Sequence, residues 1–265
     1  MDLKLICEQA RDVVNDAVVF IREQSESFNS ADVEYKGLND MVSYVDKTAE
    51  KILVDGLRKV LPGSGFITEE NTANSTTEQF KWIIDPLDGT TNFVHGVPCY
   101  CVSVALMDGE ELVVGIIHEV NLNECFYSSK GDSAYMNGDV IQVSKRKTLS
   151  ESLIVTGFPY NNFSRLKEYM EIFDFCMNNT HGIRRPGSAA VDLAYVACGR
   201  YEAFYEYGLN SWDVAAGAFI VKQAGGKVSD FTGKNEYVFG KEIIATNDSV
   251  FKEFLSVVME KMKVA

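Results

Sequence analysis

Residues 214–224 constrain the fold more than any other stretch of this chain, because as a helix they are apolar on nearly every face. Such a helix is buried. Trp212-Asp213 opens it and Gly225-Gly226 stops it. Its one acid, Asp213, falls in the first turn, where it either complements the helix dipole or points into a site. Around this helix, strands and helices alternate without long βαβ regularity. That favours an α/β (α+β) chain of layered sheets and helices, with acids gathered at strand ends.

Spacing supplies the remaining elements. Leu5, Ile6, Ala10, Val13, Val14, Ala17, Val18 and Ile21 recur at helical intervals and predict a long amphipathic first helix. Residues 33–36 and 41–45 predict short strands around a turn. Asp46 then opens a second helix as its N-cap, with Ile52, Leu53, Leu57, Val60 and Leu61 on the buried side and Pro62-Gly63 at its end. Strands follow at 66–67, 82–84, 100–107, 112–118 and 124–127, with Asp108-Gly109 as a hairpin signal. The second half predicts strands at 153–156, 183–185, 203–205 and 243–246, and helices at 166–177, 191–197 and 250–258. A turn-rich stretch at 131–139 marks a soft boundary between residues 1–135 and 136–265, with no linker between them.

The chemistry concentrates in Trp82-Ile83-Ile84-Asp85-Pro86-Leu87-Asp88-Gly89-Thr90-Thr91-Asn92-Phe93. This begins as a buried strand and breaks at Asp85-Pro86 into a loop with two carboxylates. Gly89 allows a sharp turn, and Thr90, Thr91 or Asn92 can start a helix. Carboxylates collect cations and a helix N-terminus collects phosphate. A plain N-cap at Asp88 requires one acid and not two, so the stretch points to metal-assisted phosphate chemistry. Thr68-Glu69-Glu70 is a second strand end with carboxylates, and taken alone it also reads as a solvated surface pair.

Composition then bears on the partner. Asp plus Glu number 38 against 25 for Lys plus Arg, a net charge of -13. That disfavours nucleic acid but allows a small phosphate ester whose charge is met by metal ions. Two carboxylates ~4 Å apart repel by about 4 kcal/mol at an effective dielectric near 20, so converging acids need cations. His95, His118 and His181 are scattered and the six cysteines lack paired spacing, which argues against zinc and for reduced core thiols. Hard oxygen ligands suit Mg²⁺. The N-terminus lacks an export signal and no apolar run approaches the ~20 residues of a membrane span, so the expected location is cytoplasmic, without a membrane partner.

Four segments, Gly65-Phe66-Ile67-Thr68-Glu69-Glu70, Asp85-Pro86-Leu87-Asp88-Gly89-Thr90-Thr91-Asn92-Phe93, Gly187-Ser188-Ala189-Ala190 and Trp212-Asp213-Val214-Ala215-Ala216-Gly217, resemble the motifs of the inositol monophosphatase family. The resemblance implies a layered αβαβα sandwich, a homodimer, and a lithium-sensitive phosphomonoesterase using two to three Mg²⁺. It implies Glu69, Asp85 and the backbone carbonyl of Leu87 at one ion, and Asp85, Asp88 and Asp213 at a second. Glu69 would also serve a third, with Asp46 near its water shell. Thr90 with Asp46 would orient the attacking water, and the Gly89 and Thr90 N–H groups would hold the phosphate. Gly187, Ser188, Ala189, Glu206 and Asp213 would contact the sugar-like part of the substrate, with Asp192 a further candidate. Residues 36–44, with Lys36 and Asp40, match the family's metal-binding loop only loosely. No residue is an obvious phosphoenzyme nucleophile, so direct in-line attack by water is expected.

Among phosphorylated polyols and nucleotides, myo-inositol monophosphate is the first expectation, because Glu206 stands seven residues before Asp213 as in the inositol-phosphate enzymes. The alternatives are an NADP(H) 2′-phosphatase or a dual-specificity enzyme, then a fructose-1,6-bisphosphatase or a non-catalytic metal-dependent binding protein. Arg184 and Arg185 would contact a second phosphate or sit in a solvated strand; the latter is favoured.

Overall fold

The structure is a computed structural model that describes residues 1–26, 33–37, 40–73 and 77–263, with side chains described everywhere in these ranges except 33–37 and 40–43. In chain order the first part comprises α1 (Leu3–Ser25), β1 (Val33–Gly37), β2 (Asp40–Ser43), α2 (Tyr44–Val60), β3 (Gly65–Thr68), β4 (Phe80–Asp88), α3 (Thr90–Val94), β5 (Cys101–Asp108), β6 (Glu111–Glu119), β7 (Glu124–Ser129), β8 (Tyr135–Met136) and β9 (Asp139–Val140). A single 3-10 turn, Leu149–Glu151, leads into β10 (Leu153–Thr156), α4 (Leu166–Asn179), β11 (Gly182–Arg184), α5 (Ala189–Ala197), β12 (Ala203–Tyr207), α6 (Ser211–Gln223), β13 (Lys227–Ser229), β14 (Glu242–Thr246) and α7 (Phe251–Met262).

Two sheets carry the fold. Strands β3 to β9 lie in sequence order in a seven-stranded sheet, parallel only at β3–β4. The second sheet has the order β11-β10-β12-β14-β13. Helices α1 and α2 cover one face of the first sheet, joined to it by a core that includes Val14, Ile21, Leu53, Leu57, Trp82 and Val104. Helices α5 and α6 fill the space between the sheets, and α4 and α7 cover the outer face of the second. The result is the five-layer αβαβα sandwich.

The all-apolar helix is the middle layer. In α6, Val214, Ala215, Ala216, Gly217, Ala218, Phe219, Ile220 and Val221 are all buried, because sheet β4–β7 lies on one side and α5 with the second sheet on the other. Contact with α5 is close: a Cβ added at Gly217 would stand 2.4 Å from Leu193 Cβ. Gly217→Val is therefore expected to destabilise the protein by about 2–3 kcal/mol, since interiors accept added methyl groups only through backbone shifts. A melting temperature within a degree of the parent would contradict that packing.

Several sequence expectations need correction. Helix α2 starts at Tyr44, so Asp46 is not an N-cap; it is buried in the first turn at 1% exposure. The strand expected at 41–45 ends at Ser43 for the same reason. Strand β4 does not break at Asp85-Pro86 but runs on to Asp88. Strands β8, β9 and β13, of two or three residues, are too short for alternation to announce them. The backbone of β1 and β2 forms an antiparallel pair. The side chains of Lys36 and Asp40 lie outside the described residues.

Candidate active site

The site begins with a fault in β4. Asp85 pairs with Ser103 and Asp88 with Cys101, three steps on one strand against two on its neighbour. Residues three apart in a regular strand face opposite sides of the sheet. The one-residue bulge returns both acids to the same side. Pro86, which has no N–H to give, sits where a bulge tolerates it. Asp85 Oδ1 accepts the Leu87 N–H at 3.0 Å and holds the bulge. Gly89 then turns the chain into α3 with φ 98°, and a Cβ there would stand 2.9 Å from the Cys99 carbonyl oxygen.

Other elements deliver the remaining groups. Glu69 follows β3, and its N–H donates to the Ile84 carbonyl at 3.3 Å. Asp213 enters from the first turn of α6, where Oδ2 accepts the Asn210 N–H at 2.7 Å. Asp88 Oδ2 accepts both Ser188 Oγ and the Ala190 N–H at 2.7 Å, tying β4 to the start of α5. Thr90 Oγ1 lies 3.0 Å from both Asp46 Oδ1 and the Leu87 carbonyl oxygen. Its single proton can serve only one of them at a time.

Glu69, Asp85, Leu87, Asp88, Gly89, Thr90, Gly187, Ser188, Ala189, Asp192, Glu206 and Asp213 all line one cavity of about 470 Å³. Asp46 stands behind Thr90 rather than in the lining. Sequence reasoning missed four contributors. Asn92 Nδ2 donates to the Cys99 and Pro186 carbonyls at 2.7 and 3.0 Å, linking the loop after β4 to the Gly187 turn. Gly157 lets the Glu206 carboxylate lie against the backbone, for a Cβ there would be 2.2 Å from both oxygens. Tyr160 and Lys241 also line the cavity. No periodic signal marks any of these. Arg184 ends β11 and is exposed, as a solvated strand residue should be. Arg185, in contrast, lines the cavity, with its guanidinium 3.3 Å from Tyr160 Oη and over the Phe158 ring.

Electrostatics set the acids against one another. Burial, then the Glu69, Asp88 and Asp213 charges, holds Asp85 well above the usual carboxylate range. Glu69 is raised by burial and then by Asp213. Burial pushes Asp88 up to about 6, against the opposing Ser188 and Ala190 hydrogen bonds. Asp213 rises to about 7 through burial and Asp88. Asp192 and Glu206 are raised by burial and by each other or their acidic neighbours, with Arg185 pulling the other way.

Burial and mutual repulsion thus favour the protonated forms of Glu69, Asp85 and Asp213. No three acids among the described residues already form a ready-made coordination set. The donors nonetheless fit a hard divalent cation. They are four carboxylates and one carbonyl, all oxygen, and a cation would offset the repulsion that raises the acids. Such a site suits Mg²⁺ and offers no sulfur or imidazole to zinc.

The model of the inositol monophosphatase family matches residues 2–262. The Nus factor SuhB of Pseudomonas aeruginosa is 42% identical over 238 residues, 88% of each chain. The extragenic suppressor protein suhB from Bartonella henselae superposes with a TM-score of 0.86 at 37% identity, covering 94% of this chain and 98% of that one. Inositol monophosphatase from Anabaena gives a TM-score of 0.86 at 31% identity, over 98% and 97%. With its motifs in one cavity and its layers in the same order, the chain belongs to the inositol monophosphatase family.

Proposed function

We propose that the protein hydrolyses the phosphate monoester of a small polyol, myo-inositol monophosphate first, with Mg²⁺ as cofactor. The observation that carries this is the bulge at Pro86-Leu87, which turns Asp85 and Asp88 to one side of β4, in the cavity that Glu69 and Asp213 also line. Glu69, Asp85, the Leu87 carbonyl, Asp88 and Asp213 would hold the ions. When bound, these lower the pKa of water and neutralise charge on the phosphate.

The chain's own residues do the rest. Asp46 and the Leu87 carbonyl fix Thr90 Oγ1, whose lone pairs orient the attacking water. The N–H groups of Gly89 and Thr90 face the phosphate oxygens. Asp88 anchors the Ser188-Ala189-Ala190 turn, so the wall that meets the alcohol moves with the wall that meets the phosphate. Glu206 and Asp192 accept hydrogen bonds from substrate hydroxyls. Arg185 and Lys241 line the same cavity and would meet the second phosphate of a dinucleotide, which keeps NADP(H) as the runner-up substrate.

Phosphate release from myo-inositol 1-phosphate and from NADP⁺, each with Mg²⁺ and with a chelator, is the test. Mg²⁺-dependent release from the inositol ester is expected. Equal release from both would mean dual specificity, and release from neither would overturn the substrate reading. The name of the Pseudomonas aeruginosa relative supports a second reading, action as a Nus factor. If that role is separate from catalysis, a variant that cannot turn over phosphate should keep it in a cell lacking the native protein.

A further inference from the structure

Glu50 is 0% exposed and lies on α2 one turn beyond Asp46. Its neighbours on that side, Ala49, Leu53 and Val54, are buried apolar residues. An acid in such a place costs free energy unless its oxygens are satisfied. They are satisfied by a single segment, the one that follows Glu69. Oε2 accepts the Glu70 N–H at 2.7 Å, and Oε1 accepts the Thr72 N–H at 2.8 Å and Thr72 Oγ1 at 2.7 Å.

The geometry explains why this segment needs a clamp. Among the described residues, strand β3 is an edge strand whose only neighbour in the sheet is β4. The Glu69 N–H closes that ladder on the Ile84 carbonyl, and beyond it residues 70–72 leave the sheet. Glu50 supplies the acceptors that a further strand would have supplied. Asp46 and Glu50 are four residues apart and so share a face of α2. One helix face thus fixes Thr90 through Asp46 and the backbone beside Glu69 through Glu50.

We propose that Glu50 is a positioning residue for Glu69 and thereby sets the affinity of the site for Mg²⁺; the proposal rests on the metal-site reading above. Glu50 touches neither substrate nor metal. It holds the polypeptide that aims the Glu69 carboxylate at Asp85 and Asp213.

Glu50→Gln tests it. The amide keeps the shape and one acceptor oxygen but turns an NH₂ group towards a backbone N–H, so either Glu70 or Thr72 loses its partner. The Kd for Mg²⁺ measured by calorimetry without substrate, and the Mg²⁺ concentration giving half-maximal turnover, are both expected to rise about tenfold, the low end for groups that orient a metal ligand. The kcat at saturating Mg²⁺ should fall by less than about threefold, because the ligand itself is intact. Thr72→Val, which removes only the hydroxyl bond, should shift the Mg²⁺ Kd in the same direction by less, and keeps the proposal exposed if the Gln variant does not fold. A Gln variant with a lowered melting temperature and a Mg²⁺ Kd within about twofold of the parent would reduce Glu50 to a structural role and overturn the proposal. A parent protein that binds no Mg²⁺ in the calorimeter would overturn the metal-site reading itself, which is a separate result.

Discussion

Asp85→Asn should lower kcat by about 10³-fold or more and leave the protein folded. Asp85 is 2% exposed, and its Oδ1 accepts the Leu87 N–H. An asparagine carbonyl can keep that bond and the bulge it holds, so the substitution removes charge and little else. In the proposed site Asp85 is the ligand common to two ions. Metal ions stabilise the developing charge of phosphoryl transfer by several kcal/mol, and about 4 kcal/mol corresponds to 10³ in rate. The same change relieves repulsion, because Asp85 is held up by the charges of Glu69, Asp88 and Asp213. In a chelator near pH 8 the variant should therefore melt no lower than the parent, although it is nearly inactive. Turnover within about tenfold of the parent at saturating Mg²⁺ would remove Asp85 from the reacting centre, since that loss is worth under about 1.4 kcal/mol. A lost circular-dichroism signal would instead assign the defect to folding.

The layers were legible in the sequence, and the site was legible in part. Helix α6 announced its burial because hydrophobicity on every side has one physical meaning, and the acids at the ends of β3 and β4, marked out because charges at strand ends need a reason, do line one cavity. Asp46 was misread because Val45, a buried apolar residue of the first turn of α2, extends the alternation of 41–45 as readily as it opens a helix. The bulge in β4 was read as a break, since Pro86 interrupts a ladder and a bulge equally well. Contacts between distant residues left no trace at all: Asp88 with Ser188, Asn92 with Pro186, and the Glu206 carboxylate against Gly157. Nothing in the sequence singles out Glu50, because periodicity cannot tell an exposed acid from a buried one whose donors come from another loop. Individual ligand and substrate roles came from the family resemblance and not from spacing.

In a chelator the protein should lose stability as pH rises from about 4 to about 8, and Mg²⁺ should reverse that slope. Asp213 keeps its proton in the folded state up to about 7, whereas its ordinary value is 3.8. Between those values the unfolded chain binds fewer protons than the folded one, so stability falls with rising pH. The contribution is complete below the unfolded value and lost once pH passes the folded one. Glu69, Asp85 and Asp88 are raised as well and act in the same direction. Asp132 and Asp230 are depressed and contribute the opposite slope, but only in acid. Asp192 and Glu206 are raised too, so His118, lowered by burial and opposing the trend below its ordinary 6.5, is a single group against six. One pKa unit is worth about 1.4 kcal/mol, so Asp213 alone supplies at most about 4 kcal/mol, and the coupled acids do not simply add to it. At about 2–4 °C per kcal/mol for a chain of this size, the melting temperature should drop by about 10 °C between pH 5 and pH 8. Mg²⁺ binds the deprotonated acids of the folded state, so its stabilisation by mass action should be larger at pH 8 than at pH 5. Scanning calorimetry at the two pH values, with chelator and with millimolar Mg²⁺, reads both slopes at once. A chelated protein that melts higher at pH 8, or a Mg²⁺ shift equal at both values, would mean that the acids of β3, β4 and α6 are not held protonated against one another and that no cation is needed to bring them together.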